Sequence, residues 1–273
     1  MKLKVSINAL LTLILFTSLS PAFAVVHTID VMVVYPHHAT LMPEGRDMPS
    51  RVALLIANAN QSYKESKVNI RLRVVHLKEV AIPGTGNVSR RALFSLAGDQ
   101  NIQKLREKYG ADLVVLLTLK QTTSEGLFQC GRGYIAHGTN GKLDFSDNLF
   151  FNYKGAKNTG FSVTAINCDT STFAHEIGHN MGLGHSFEQG EDGGVYKWGR
   201  GHGERNNFST IMGYPWVFGK YTKRLQRFSS PTQIKCNGQP CGVPHNQIDA
   251  ADAVTSLNAV AKQVSDFFPT RVP

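Results

Sequence analysis

The chain has 273 residues, of which 42% are hydrophobic and 18% charged, and its formal net charge is +9. This composition supports one large folded domain or two small ones and excludes a disordered chain. Its cationic residues are scattered in short groups such as "RLR", "SRR" and "KYTKRLQR", with no basic stripe interleaved with aromatics, so a solvated basic surface is expected and a nucleic-acid partner is not. In chain order, the first element is an export signal. Lys2 and Lys4 precede an apolar core at 7–19, and Ala22 and Ala24 offer a small-residue cleavage site before Val25. The core is shorter than a membrane span, and no cysteine follows the site to carry a lipid. Residues 1–24 are therefore read as a signal peptide whose loss of two lysines lowers the charge to +7. The mature chain, 25–273, carries no membrane span, and the protein is expected outside the cytoplasm, periplasmic or extracellular.

After the signal, 27–35 is rich in β-branched residues and predicts a strand. Apolar residues at helical spacing (Val52, Leu55, Ile56, Ala59, Tyr63) predict a helix over 49–66. Residues 69–80 alternate through Ile70, Leu72 and Val74, then slip to Leu77, as a half-buried strand would. "PGTGN" breaks the chain before a helix at 99–110, capped by Asp99 and ended by Gly110. The apolar run 111–119 predicts a strand buried on both faces, 161–166 another strand, and 169–182 a helix. The Gly-rich stretch 186–209 has no period and is expected to be a functional or mobile loop, and 245–268 predicts a C-terminal helix. The order is that of an α/β (α+β) chain on one sheet, with less regular structure in its second half.

The four cysteines, Cys130, Cys168, Cys236 and Cys241, are an even count in an exported chain and predict two disulfides. "CNGQPC" brings Cys236 and Cys241 close in sequence, which leaves Cys130 with Cys168. A cysteine zinc site is opposed by the long gap between the pairs and by the export signal.

The densest chemistry lies in "HEIGHNMGLGH", residues 175–185. On a helix, His175 and His179 share a face and can reach one ion. Zinc takes neutral imidazole nitrogen and prefers four ligands. Glu176 projects beside such an ion, where a carboxylate takes a proton from activated water. His185 is too far along to share the helix face, but Gly182 can adopt a left-handed conformation, end the helix and turn His185 back. Three histidines would leave one position open, as in a catalytic zinc site. Water would attack a peptide carbonyl, with Glu176 as general base returning the proton to the leaving amine.

This spacing resembles the metzincin zinc endopeptidases, H-E-x-x-H-x-x-G-x-x-H followed by a Met-turn. Five fixed positions recur by chance on the order of once in ten thousand chains of this length. "STIMGY", 209–214, looks like the Met-turn, with Met212 as the apolar floor of the ligands; taken alone, Met212 reads first as an ordinary core methionine. Tyr214, two residues on, resembles the tyrosine that approaches the metal or tetrahedral intermediate in astacin-like and serralysin-like members, or else it walls the substrate pocket. "YGADLVVLL", "CGRGYIAHG" and "FSVTAINCDTSTFAHEIGHNMG" are similar to bacterial reprolysin-like secreted peptidases, including the peptidyl-Asp metalloendopeptidases. That group bonds a cysteine before the zinc helix to one just after the central strand, which Cys168 and Cys130 fit. Ser186 departs from the Asp that reprolysins usually carry after the third histidine; matrixins carry Ser there. No cysteine-switch peptide is present, and the first strand follows the signal too closely for an evident propeptide.

The resemblance implies a metzincin, zincin-like catalytic domain over 25–273, with a mixed twisted sheet, an N-terminal subdomain, an active-site helix and a loop-rich C-terminal subdomain. It implies one catalytic zinc and a protein or peptide substrate laid along the sheet's edge strand. Together with the basic balance, it points to acidic side chains next to the scissile bond. The alternative function is a catalytically inactive zinc-containing module, an adhesin or toxin component that binds protein or glycan; the intact Glu176 opposes it. His27, His37, His38, His76, His137, His202 and His245 lack ligand spacing, although His202 lies in the long loop and is a candidate for substrate contact. "EQGEDGG" has the composition of a calcium loop without the EF-hand alternation, so calcium is unproven. Trp198, Trp216 and Phe218 flank the Met-turn and suit either the pocket or the core. No sequence feature specifies an oligomeric state.

Overall fold

A computed structural model describes residues 25–122, 126, 128–147, 155–232 and 235–271; the signal-peptide reading falls outside them. The labelled elements are β1 (His27–Tyr35), α1 (Met48–Glu65), β2 (Ile70–Glu79), α2 (Arg90–Gly98), α3 (Gln100–Tyr109), β3 (Leu113–Thr118), β4 (Gly131–Gly133), β5 (Phe161–Ala165), α4 (Ser171–Asn180), β6 (Gly184–Ser186), β7 (Arg200–Gly201) and α5 (Ala253–Ser265). The main sheet runs β2-β1-β3-β5-β4. Its first four strands are mutually parallel, and β4 is an antiparallel edge.

The sheet is covered on both sides. Ile29, Val31 and Val33 of β1 and Leu113, Val115 and Leu117 of β3 join one core with Leu55 of α1, Phe173 and Ile177 of α4 and Leu257 of α5. The alternate residues Met32, Val34, Val114 and Leu116 join a second core with Leu96 of α2 and Ile102 of α3. This two-sided burial is why β3 reads as an unbroken apolar run. The slip in the alternation of β2 is a bulge: Val31 pairs with Val74 but Met32 with His76, so one extra residue changes the face.

Local signals set most boundaries. Asp47, Ser89, Asp99 and Asp252 each accept a backbone N–H at a helix start. Gly110 ends α3 at φ 65°. The C-terminal helix is shorter than the predicted 245–268, because Asp252 caps it by accepting from Thr255 N and the preceding segment folds back through a Val243–Ala251 bridge. The helix α2 was not predicted. Both disulfides join the expected partners: Cys130–Cys168, with Cα atoms 5.8 Å apart, ties the start of β4 to the approach to α4, and Cys236–Cys241, 5.1 Å apart, closes a small loop. Such bonds fit an exported chain. Among the described residues no helix is long and apolar enough to cross a membrane.

α4 is fixed to the sheet by a buried amide. Asn180 Nδ2 donates to the carbonyls of Tyr134, Thr159 and Phe161 at 3.0, 3.1 and 2.9 Å. Asn180→Ala should strand these carbonyls and cost about 1–3 kcal/mol, seen as a lower thermal midpoint; an unchanged midpoint would show that the amide is not a structural tie.

Candidate active site

α4 ends as the sequence requires. Gly182 N donates to His179 O and Leu183 N to Gly178 O, both at 2.9 Å, with Gly182 at φ 84°. This paired closure turns the chain out of the helix and needs a residue that tolerates the left-handed region. His185 then returns on β6, which pairs with β7. His185 Nε2 lies 3.2 Å from both His179 Nε2 and His175 Nε2.

The opposite ring nitrogens are held from outside. His175 Nδ1 donates to Ile211 O and His179 Nδ1 to Leu183 O, each at 2.8 Å. His185 Nδ1 lies 2.7 Å from Glu191 Oε1, and Glu191 Oε2 accepts His185 N at 3.2 Å. With each Nδ1 proton committed, three Nε2 lone pairs converge on one point. Burial keeps the helix pair neutral: it pushes His179 down to about 4 and His175 well below its ordinary value, helped by the neighbouring histidines. Three converging acceptors repel one another unless a cation lies between them. Tetrahedral zinc spaces its nitrogens about 3.3 Å apart, which matches the 3.2 Å pairs. The cluster is consistent with a catalytic zinc ion.

Glu176 is buried beside this cluster, and its Oε2 has no hydrogen-bond partner. Burial pushes its carboxyl up to about 8, against the pull of Arg132 and Arg224. The edge strand β4 lies directly on it: a Cβ at Gly131 would sit 2.0 Å from Glu176 Oε1. Met212 is fully buried with its sulfur against α4 at Gly178, and the carbonyl of its neighbour Ile211 is the one that holds His175. The ring of Tyr214 is tilted over His185 at 4.5 Å and stacks on Trp216 at 4.5 Å. Burial pushes the Tyr214 phenol up to about 12, with the charges of Glu176 and Glu191 adding to it, so it stays a proton donor.

A cleft of about 910 Å³ opens in front of His175 and Glu176, with Gly131, Tyr214, Trp216, Arg132 and Arg224 in its walls. Other candidates fall elsewhere. His202 is buried, 3.6 Å from Glu204, and is not in the cleft lining. Trp198 is stacked between Tyr196 and His245, and Phe218 is buried. In "EQGEDGG", Glu191 is bonded to His185, and Asp192 pairs with Arg200 at 3.0 Å. Sequence reasoning missed Glu191, Arg132 and Arg224. Arg224 lies in "KYTKRLQR", which reads as solvated surface, yet its side chain faces the cleft.

Residues 49–186, just over half of the chain, match the reprolysin-like model of metallopeptidase family M12B. The chain belongs to this reprolysin-like metallopeptidase family. The match ends one residue past His185, so it includes the three histidines and Glu176 but stops before Met212 and Tyr214. The chain is 39% identical over 266 residues to the peptidyl-Asp metalloendopeptidase of Pseudomonas aeruginosa, covering 93% of this chain and 42% of that protein. It is 30% identical over 221 residues to the protein of that name from Xanthomonas campestris pv. campestris, covering 79% and 46%. The chain thus spans under half the length of these curated relatives. A solved chaperone-substrate complex shares the fold, with a TM-score of 0.66 at 20% identity over 89% of this chain and 35% of that one.

Within this reprolysin-like site, Glu191 completes a carboxylate–histidine pair of the kind that orients metal ligands. Glu191→Ala should weaken zinc binding about 10- to 100-fold, measured by competition with a chelating dye. Unaltered affinity would leave Glu191 a loop contact only.

Proposed function

We propose that residues 25–273 form the catalytic domain of an exported zinc-dependent endopeptidase, delivered by residues 1–24 as a signal peptide. His175, His179 and His185 are the residues that would hold zinc, and Glu176 is the general base. When bound, zinc supplies Lewis acidity, making water nucleophilic near neutral pH and polarising a carbonyl. The observation that carries the reading is the buried Glu176 carboxylate, with Oε2 unpartnered beside three converging imidazoles.

Peptide hydrolysis then follows from the chain's own groups. Beside a dication held by the three imidazoles, the buried Glu176 carboxyl is drawn into its ionised form, and in that form Glu176 takes one proton from the attacking water as the new C–O bond forms. It gives that proton to the amide nitrogen as the C–N bond breaks. Tyr214, a protonated phenol over His185, is set to donate to an oxygen that gains charge. The outer edge of β4 offers backbone groups to an extended substrate, and Gly131 lets that edge approach Glu176 without a side chain between them. The substrate is a protein or peptide, with an acidic residue next to the scissile bond, in keeping with the relatives' name. An inactive binding module would have no use for a buried carboxylate costly to desolvate.

Glu176→Gln should reduce cleavage of casein about 10²- to 10⁴-fold while the purified protein keeps one equivalent of zinc. Equal rates for both proteins, or indifference to a chelator, would overturn the reading. Gly131→Ala should cost about a hundredfold by displacing the Glu176 carboxylate, again with zinc retained, as measured by turnover and metal analysis; a rate within twofold of wild type would mean that β4 does not position the base.

A further inference from the structure

The cleft contains two cations that the hydrolytic step does not use. Arg224 and Arg132 both line it, and neither forms an ion pair among the described residues. The Nε atom of each is buried without a hydrogen-bond partner. The remaining bonds of Arg224 are long and go to neutral acceptors: Nη1 to Ser171 Oγ at 3.3 Å and Nη2 to Gly213 O at 3.5 Å. The acid beside it, Asp169, is already engaged, since its Oδ1 accepts from Ser171 N at 2.8 Å and from Ser171 Oγ.

A half-buried guanidinium whose Nε is withdrawn from water without a hydrogen-bonded carboxylate is costly to keep. Packing does not account for the cost: Phe128, Thr172, Pro215 and Trp216 in the same wall are apolar or neutral, and its two acids, Asp169 and Glu176, attract the guanidinium without forming an ion pair with it. A planar guanidinium edge with a free Nε matches the two oxygens of a carboxylate. Glu176 is not that partner, as its Oε2 is unpartnered too.

We propose that Arg224, assisted by Arg132 on β4, forms a subsite that binds the side-chain carboxylate of an acidic residue flanking the scissile bond. This rests on the endopeptidase reading and assigns its selectivity to named residues. Asn has nearly the shape of Asp but lacks the charge, so the subsite discriminates between them through the guanidinium alone.

The test uses matched peptides with Asp or Asn on either side of the cleaved bond. Wild type should favour Asp by at least about thirtyfold in kcat/KM, and Arg224→Gln should bring the ratio near one. Arg224→Lys, which keeps the charge but loses the fork, should fall between. An unaltered ratio with both rates depressed would overturn the proposal, because Arg224 would then act through Glu176. A second arm needs neither turnover nor a variant at Arg224. Calorimetry on the zinc-loaded Glu176→Gln protein should find the Asp peptide bound at least about tenfold more tightly than the Asn peptide; equal affinities would overturn the proposal. Failure of wild type to cut any peptide would instead overturn the endopeptidase reading, and the calorimetric comparison still decides the role of the subsite.

Discussion

The structure depends on three imidazole lone pairs being forced to one point. His175, His179 and His185 would separate if their Nδ1 protons were not held by Ile211 O, Leu183 O and Glu191. Two of these three holders are backbone carbonyls, which cannot be changed by substitution at their own positions without moving the chain. The loop containing Ile211 therefore serves the site through its path as much as through its side chains. Met212 and Tyr214 are delivered by that same path, with the sulfur of one against α4 and the ring of the other over His185.

That arrangement requires α4 to have a single position relative to both halves of the chain. On one side it packs into the larger core through Phe173 and Ile177. On the other, Asn180 reaches three carbonyls around β5. The Cys130–Cys168 bond joins the start of β4 to the segment leading into α4, so the edge strand and the helix carrying Glu176 are linked covalently as well as by packing. Rigid support of this kind favours an electrostatic site, since oriented groups need not reorganise as charge develops.

Much of this is legible in the sequence for a specific reason. His175, Glu176 and His179 are related by helical geometry, and Gly182 is a backbone signal, so local rules suffice. β3 reads correctly because burial on both faces leaves a continuous apolar run, and β2 because a half-buried strand alternates. Elements and residues set by long-range contact did not read. β4 has the sequence Gly-Arg-Gly and carries no periodicity; it is a strand only because β5 pairs with it. Glu191 is six residues past His185 in a stretch with no period, and nothing local distinguishes it from Glu188 or Asp192. Arg224 is invisible for the opposite reason: it sits among other cations, and only the fold turns it into the cleft. α2 is a different case, since Ser89 and the apolar set Ala92, Leu93, Leu96 and Ala97 were a readable helix signal.

The residues that escaped local reading share a property. Glu191, Arg132 and Arg224 are charged groups placed by the fold and not by a local pattern: Glu191 holds His185, and the two arginines face the cleft. A histidine cluster with a glutamate can be specified by eleven consecutive residues because one helix turn and one glycine bring the groups together. Selectivity cannot be written so compactly, because a substrate side chain must be met from the far wall of the cleft, and that wall comes from β4 and from the segment after Tyr214. The general chemistry of the site thus resides in one contiguous stretch, while the features that would choose its substrate are dispersed over strands and loops that the fold alone assembles. The histidine stretch therefore carries no information about which side chain is accepted, and under the proposed subsite that information lies with Arg224 and Arg132.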